Sequence, residues 1–145
     1  MNRKKIKSIA FVTGASRGIG SAIALKLASD GFMVVVGFNK NKIGANKVVK
    51  KINKLGGNSL ALQINIASNR SITAAFRKIS KLGQLEVLIN NAAISQEKPF
   101  LKITEKDFDS MTKINLRGAF FCIQEALPLM INKRFGRIVN VASIG

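Results

Sequence analysis

The segment Thr13-Gly14-Ala15-Ser16-Arg17-Gly18-Ile19-Gly20 sets three glycines and an arginine between an apolar run and a stretch of helical period. In that context a glycine-rich loop binds phosphate. Gly14 permits a tight turn out of the strand, Gly18 lets the backbone approach a pyrophosphate, and Gly20 allows the helix to pack closely on the strand. The helix N-terminus adds unpaired amide donors and a favourable dipole. The spacing is GxxxGxG rather than GxGxxG, and three glycines can also form a loop and cap that binds nothing.

Other chemistries are closed off by what the chain lacks. Histidine is absent, which removes the commonest transition-metal ligand, and the single cysteine, Cys122, cannot form an internal disulfide. No metal is expected, and Cys122 reads as a small apolar packing residue. The net charge of +17 raises nucleic-acid binding. Against it, the basic residues are spread over several helical segments, and no Tyr or Trp accompanies them as a stacking platform. The expectation is therefore no nucleic-acid partner; the charge is a solvated surface or an attraction to an acidic or phosphorylated partner. No apolar run approaches the roughly 20 residues of a membrane helix. The basic start, Met1–Lys7, is followed only by Ile9–Val12 before Thr13-Gly14, too little for an export signal. A cytoplasmic protein without a membrane partner is expected.

The elements that must position the loop follow from periodicity. Strand-like runs alternate with helical segments, the pattern of repeated βαβ units feeding a parallel sheet. Strands are expected at Ser8–Thr13, Phe32–Phe38, Ser59–Ile66, Glu86–Asn90 and Arg137–Ala142. The first helix carries Ile19, Ala22, Ile23 and Leu27 inward and closes at Gly31; the second carries Ala45, Val48, Val49, Ile52 and Leu55 and stops at Gly56-Gly57. Ser68 caps the third, which turns Ile72, Ala75, Phe76, Ile79 and Leu82 inward. Thr104-x-x-Asp107, a variant capping box, opens a long helical region to Ile131 with interruptions at Gly118 and Pro128. The fold class is α/β: a Rossmann doubly wound parallel sheet of five strands in order 3-2-1-4-5, with helices on both faces.

With TGASRGIG the chain resembles the short-chain dehydrogenases/reductases, and further motifs stand where that family has them. Asn90-Asn91-Ala92-Ala93 resembles the family's NNAG, which stabilises the central sheet and borders the cofactor. Ala93 replaces glycine there, a change that costs about a kilocalorie per mole if the position needs a positive φ. Asn65, in Gln63-Ile64-Asn65-Ile66, stands where the family usually has an Asp touching adenine, and its amide can still serve. The cofactor-binding residues implied are Gly14, Ser16, Arg17, Gly18, Ile19, Gly20, Asn39, Lys40, Asn65, Ile66, Asn91, Ala92 and Ala93.

Members of the family that use NAD carry an acid at the end of strand two for the ribose 2′-hydroxyl. Here the stretch is Gly37-Phe38-Asn39-Lys40-Asn41-Lys42, without an acid, and Arg17, Asn39 and Lys40 can meet a 2′-phosphate. NADP(H) is the expected cofactor, although Lys40 and Lys42 also read as solvated loop residues. Ser143, closing Gly136-Arg-Ile-Val-Asn-Val-Ala-Ser143, matches the family's catalytic serine, which hydrogen-bonds the substrate carbonyl oxygen as charge develops. Asn115 matches the asparagine that shapes a helix kink and holds a water in the proton relay. Taken singly, a serine after a strand is commonly a cap and an asparagine near a glycine a helix irregularity; together, in order and at family spacing, they carry the resemblance.

The remaining partners in the family are a tyrosine acid/base and a lysine, set as Tyr-x-x-x-Lys on the next helix. This sequence contains no tyrosine. The resemblance therefore implies one NAD(P)-binding domain over residues 1–145, incomplete at its C-terminus and cut before the last strands. Acid/base assistance contributes about 10²- to 10⁴-fold, so little turnover is expected of these residues alone. The pattern is most similar to 3-oxoacyl-(acyl-carrier-protein) reductases, with Lys133-Arg134 as a basic spot for the acidic carrier protein or simply a positive helix C-terminus; the substrate implied is a small molecule or one bound to acyl carrier protein, since related members act on acetoacetyl-CoA, sugars, steroids or other alcohols. The resemblance also implies homotetramers joined through the long helices. Two rival readings are a non-catalytic NADP-binding fragment and, less favoured, a basic nucleic-acid-binding protein.

Overall fold

Five short runs pair side by side, and the three innermost, rich in Val, Ile, Leu and Phe, are buried on both faces, which favours a parallel sheet covered by helices. A computed structural model describes residues 7 to 143; Met1–Ile6, the basic start weighed above as a signal, and Ile144–Gly145 at the other end lie outside it. The strands are β1 (Ser8–Val12), β2 (Met33–Phe38), β3 (Asn58–Gln63), β4 (Gln84–Asn90) and β5 (Arg137–Asn140), all parallel, in order β3-β2-β1-β4-β5. Helices α1 (Gly18–Ser29), α2 (Lys42–Lys54), α3 (Asn69–Ile79), α4 (Glu105–Met111) and α5 (Ala119–Ile131) connect them. A π-helical segment, Thr112–Gly118, joins α4 to α5, and a short 3-10 turn lies at Phe100–Lys102.

The sheet divides the core. On one face α1 and α2 cover Ala10, Val12, Val34, Val36, Val87 and Ile89, with Ala24, Ala45, Val48 and Ile52 from the helices. On the other, α3 and α5 cover Ile9, Phe11, Val35, Leu85 and Leu88, with Ile72, Phe76, Ile79, Cys122 and Ala126. Phe11 and Phe76 meet edge to face, centroids 5.5 Å apart. Each such large side chain, fully buried, stabilises the fold by roughly 1.5–3 kcal/mol. The sheet order and the coverage of both faces are as expected from the sequence.

Helix ends follow their residues. Gly31 has φ +92 and follows the C-cap of α1, while Ser68 Oγ accepts from Ser71 N at 3.4 Å at the start of α3. Thr104 and Asp107 form a reciprocal capping box on α4. No helix among the described residues is long and apolar enough to cross a membrane.

Several expectations need correction. Ile19 is 66% exposed rather than inward, because it lies in the first turn of α1, where the helix meets the loop at the sheet's edge; Ala22 is exposed too. Leu55 is the C-cap of α2 and exposed. β3 ends at Gln63: Ile64 N still donates to Phe38 O, but Asn65 onward turns toward α3. Pro128 does not interrupt α5, which runs through it and ends one turn later. The irregularity sits instead in the π segment. β5 stops at Asn140 rather than Ala142 and is an exposed edge strand.

Candidate cofactor-binding and active site

The loop after β1 is shaped by where its backbone must pass. Ala15 N donates to Gly37 O at 2.8 Å, locking the loop against β2. Gly14 has φ +63, and a Cβ there would stand 2.8 Å from Ala92 Cα, so only glycine fits. A Cβ on Gly20 would strike the Asn91 side chain and come within 3.0 Å of Ala15 Cα, which is the close packing expected of the third glycine. Gly18 differs: its φ is +55, yet a Cβ there would meet nothing within 4 Å. The loop is tight inward and open outward. Arg17 precedes α1 with no side-chain cap bond, and the first amides of α1 have no acceptor within the helix. Open space, free amides and a helix dipole fit a dinucleotide's pyrophosphate.

The neighbouring elements complete the rim. Asn39 and Lys40 are exposed just beyond β2. Asn41 caps α2, accepting from Gly44 N at 2.9 Å, and a Cβ on Gly44 would stand 2.6 Å from Ser16 O. Thus α2 begins against the glycine loop, bringing Asn39 and Lys40 to the same edge as Ser16 and Arg17. Asn65 accepts from Ala67 N at 3.0 Å in a turn, and its own N–H donates to Ser71 Oγ at 2.9 Å. Ile66 is buried against the π segment, where a Cβ on Gly118 would stand 3.1 Å from Ile66 Cβ.

Behind the loop, β1 is stapled to the end of β4. Thr13 Oγ1 accepts from Asn91 N and Ala92 N, both at 3.0 Å, and donates to Ile89 O at 3.3 Å. Asn91 Nδ2 donates to the carbonyls of Thr13 and Gly14, again at 3.0 Å. Ala93 does not have a positive φ; among the described non-glycine residues that holds for Arg134 alone. The methyl group that replaces the motif's glycine is therefore unstrained.

Asn115 lies in the π segment and clasps the backbone of Ile94: Ile94 N donates to Oδ1 at 2.9 Å, and Nδ2 donates to Ile94 O at 2.8 Å. The helix irregularity read from the sequence is thus a wide turn that presents this carboxamide to the segment after β4. Ser143 is exposed, three residues beyond β5, at the same C-terminal edge of the sheet as the loop. In open parallel sheets, ligands bind along this edge.

Two titrating groups are displaced. The Asp107 carboxyl is held down at about 2 by the hydrogen bond from Lys98 Nζ, then by those from Thr104 N and Thr104 Oγ1. Burial, then the Glu125 carboxylate, pushes the Cys122 thiol up to about 12. Neither belongs to the loop. Sequence reasoning missed three supports of the site: the Thr13 hydroxyl, the Asn41 cap and the pairing of Asn90 with Asn140. Asn41 was legible as an N-cap before an apolar-periodic run; the other two depend on strand register.

Residues 8–145 match the family model described as short chain dehydrogenase. The chain is 40% identical over 141 residues to the 3-oxoacyl-[acyl-carrier-protein] reductase FabG of Staphylococcus aureus, covering 97% of this chain and 57% of the relative. It is also 40% identical over 138 residues to the protein of that name from Aquifex aeolicus, covering 94% and 55%. The chain therefore spans little more than half the length of the curated relatives it matches. Among solved structures, a metagenomic short-chain oxidoreductase in complex with NADP superposes with a TM-score of 0.90 at 30% identity, over 95% of this chain and 63% of that one. A Serratia marcescens short-chain dehydrogenase/reductase variant gives 0.87 at 33% identity, over 94% and 56%. With a family model matched over nearly the whole chain and a parallel sheet that superposes on both solved structures, the chain belongs to the short-chain dehydrogenase/reductase family of oxidoreductases.

Proposed function

We propose that the chain supplies the cofactor cradle and part of the catalytic edge of an NADP(H)-dependent reductase that converts a ketone, a 3-oxoacyl thioester on acyl carrier protein, to the alcohol. The observation that carries the reading is the α1 N-terminus, open at Gly18, flanked by Arg17 and facing a β2 end that holds Asn39 and Lys40 but no carboxylate. When bound, the nicotinamide supplies the hydride. Gly18 admits the pyrophosphate to the free amides, Gly14 and Gly20 let the loop close tightly on Ala92 and Asn91 behind it, Ser16 and Ile19 line the loop, and Arg17 with Asn39 and Lys40 meets a 2′-phosphate. Asn65 and Ile66 border the adenine side; Asn91, Ala92 and Ala93 form the floor.

At the reacting end Ser143 donates a hydrogen bond to the substrate carbonyl oxygen as negative charge grows on it. Asn115 fixes the π segment against Ile94; a relay water would be held by the second Nδ2 hydrogen or by the main chain. The names of the curated relatives support the carrier-protein substrate, and the exposed Lys133 and Arg134 suit an acidic partner. These two residues precede β5 and Ser143 follows it, so they stand at opposite ends of a strand about 13 Å long. Exposed Phe108, Leu116, Phe120 and Ile131 along α4, the π segment and α5 suit pairing with a second copy.

The test is a titration of NADPH and NADH, before and after Arg17→Glu. NADPH binds more tightly to the parent, and the preference collapses in the variant; an unchanged ratio overturns the assignment.

A further inference from the structure

β5 pairs with β4 over all four of its residues. Ile138 within it and Val141 just beyond it are part-buried against the core. Between these two the end of the strand is tied to a residue that the core immobilises. Asn90, the last residue of β4, is 7% exposed and stands directly in register with Asn140, the last of β5. Asn90 Nδ2 donates to Asn140 Oδ1 at 2.9 Å, and Asn90 O accepts from Val141 N at 2.9 Å. The next residue, Asn91, is fastened to Thr13 and Gly14 of the glycine loop. A continuous set of hydrogen bonds thus runs along the C-terminal edge from the loop through β4 to the end of β5.

We propose that the Asn90–Asn140 carboxamide pair is a positioning device, holding the end of β5, and with it Ser143 three residues on, in register with the cofactor-binding edge. The inference rests on the role given to Ser143 in the preceding subsection. Asn140 is a positioning residue that acts through the chain it anchors. Its acceptor oxygen matters because the Asn90 donor is buried, where an unmade hydrogen bond is not replaced by water. Asn140→Asp keeps an oxygen for Asn90 Nδ2; Asn140→Leu keeps the branching at Cγ and removes the oxygen.

The experiment is residue-resolved amide hydrogen exchange on the full chain, with NADPH affinity measured beside it. In Asn140→Leu the Val141 amide exchanges about tenfold faster and the Ser143 amide resonance moves, while Asn140→Asp stays within about twofold of the parent. Amides of β1 and β2 and the affinity for NADPH hold steady in both. Equal exchange at Val141 in the two variants overturns the proposal, and so does an unmoved Ser143 resonance in Asn140→Leu. If Asn140→Leu does not fold, Asn140→Ala makes the same comparison. Where the parent reduces a ketone, Asn140→Leu lowers kcat at constant KM for NADPH and Asn140→Asp restores it. An affinity for NADPH no tighter than that for NADH counts against the reductase reading, whereas the exchange comparison still decides this one.

Discussion

The Thr13 hydroxyl accepts the main-chain N–H of Asn91 at 3.0 Å, and the Asn91 carboxamide returns a hydrogen bond of the same length to the Thr13 carbonyl. This reciprocal pair joins the strand that opens the glycine loop to the strand that ends in the Asn-Asn segment. Thr13 is 1% exposed. Thr13→Val preserves its shape but leaves the Asn91 and Ala92 amides without their acceptor, and a buried unpaired donor costs about 1–3 kcal/mol. Urea unfolding should therefore show Thr13→Val destabilised by about 2–4 kcal/mol and Thr13→Ser by less, since serine keeps the oxygen. Equal losses in the two would assign the effect to the methyl group instead.

Asp107 gives the fold a local pH dependence with a definite sign. Its carboxyl is lowered from 3.8 to about 2 by bonds that Lys98 and Thr104 make to the charged form. A depressed acid stabilises the folded state fully above its unfolded pKa and loses that contribution as protons bind. The start of α4 should thus hold above pH 4 and loosen between about 4 and 2, read by exchange of the Asp107 and Phe108 amides. Asp107→Asn should flatten that dependence, because the group no longer titrates.

How far the fold was legible depended on where each residue's partners lie. Gly31, Ser68 and the Thr104–Asp107 box act on atoms a few residues away, so their spacing gave them away. The parallel order of the strands was legible because βαβ alternation admits few topologies. Ile19 and Leu55 were misread because helical period says which side faces inward, not where the helix outruns the sheet. The Asn90–Asn140 bond spans 50 positions and exists only once β4 and β5 are in register, so no local pattern announces it.

Cys122 should be chemically silent while the fold persists. It is fully buried, and its thiol is pushed up to about 12, so the nucleophilic thiolate is scarce at neutral pH. Labelling by an aromatic disulfide reagent should follow the rate of unfolding and become rapid in denaturant. Rapid labelling under native conditions would mean that α5 opens locally over α3.

Arg134 is the described non-glycine residue held in the left-handed region, at φ 52, in the turn after α5. Its N–H donates to Ile131 O at 2.9 Å and Phe135 N to Met130 O at 3.3 Å, closing the helix as a glycine usually does. A Cβ in that conformation costs about 1–2 kcal/mol, part of which glycine gives back through the entropy of its unfolded chain. Arg134→Gly should consequently stabilise the fold by about 0.5–1 kcal/mol in urea unfolding. The same variant separates shape from charge. If Lys133 and Arg134 receive an acidic carrier protein, Arg134→Gly weakens capture of that partner while raising stability, and added salt weakens the parent's capture in the same direction. Stability gained with carrier-protein affinity unchanged would leave Arg134 as a helix terminus and move the docking surface elsewhere.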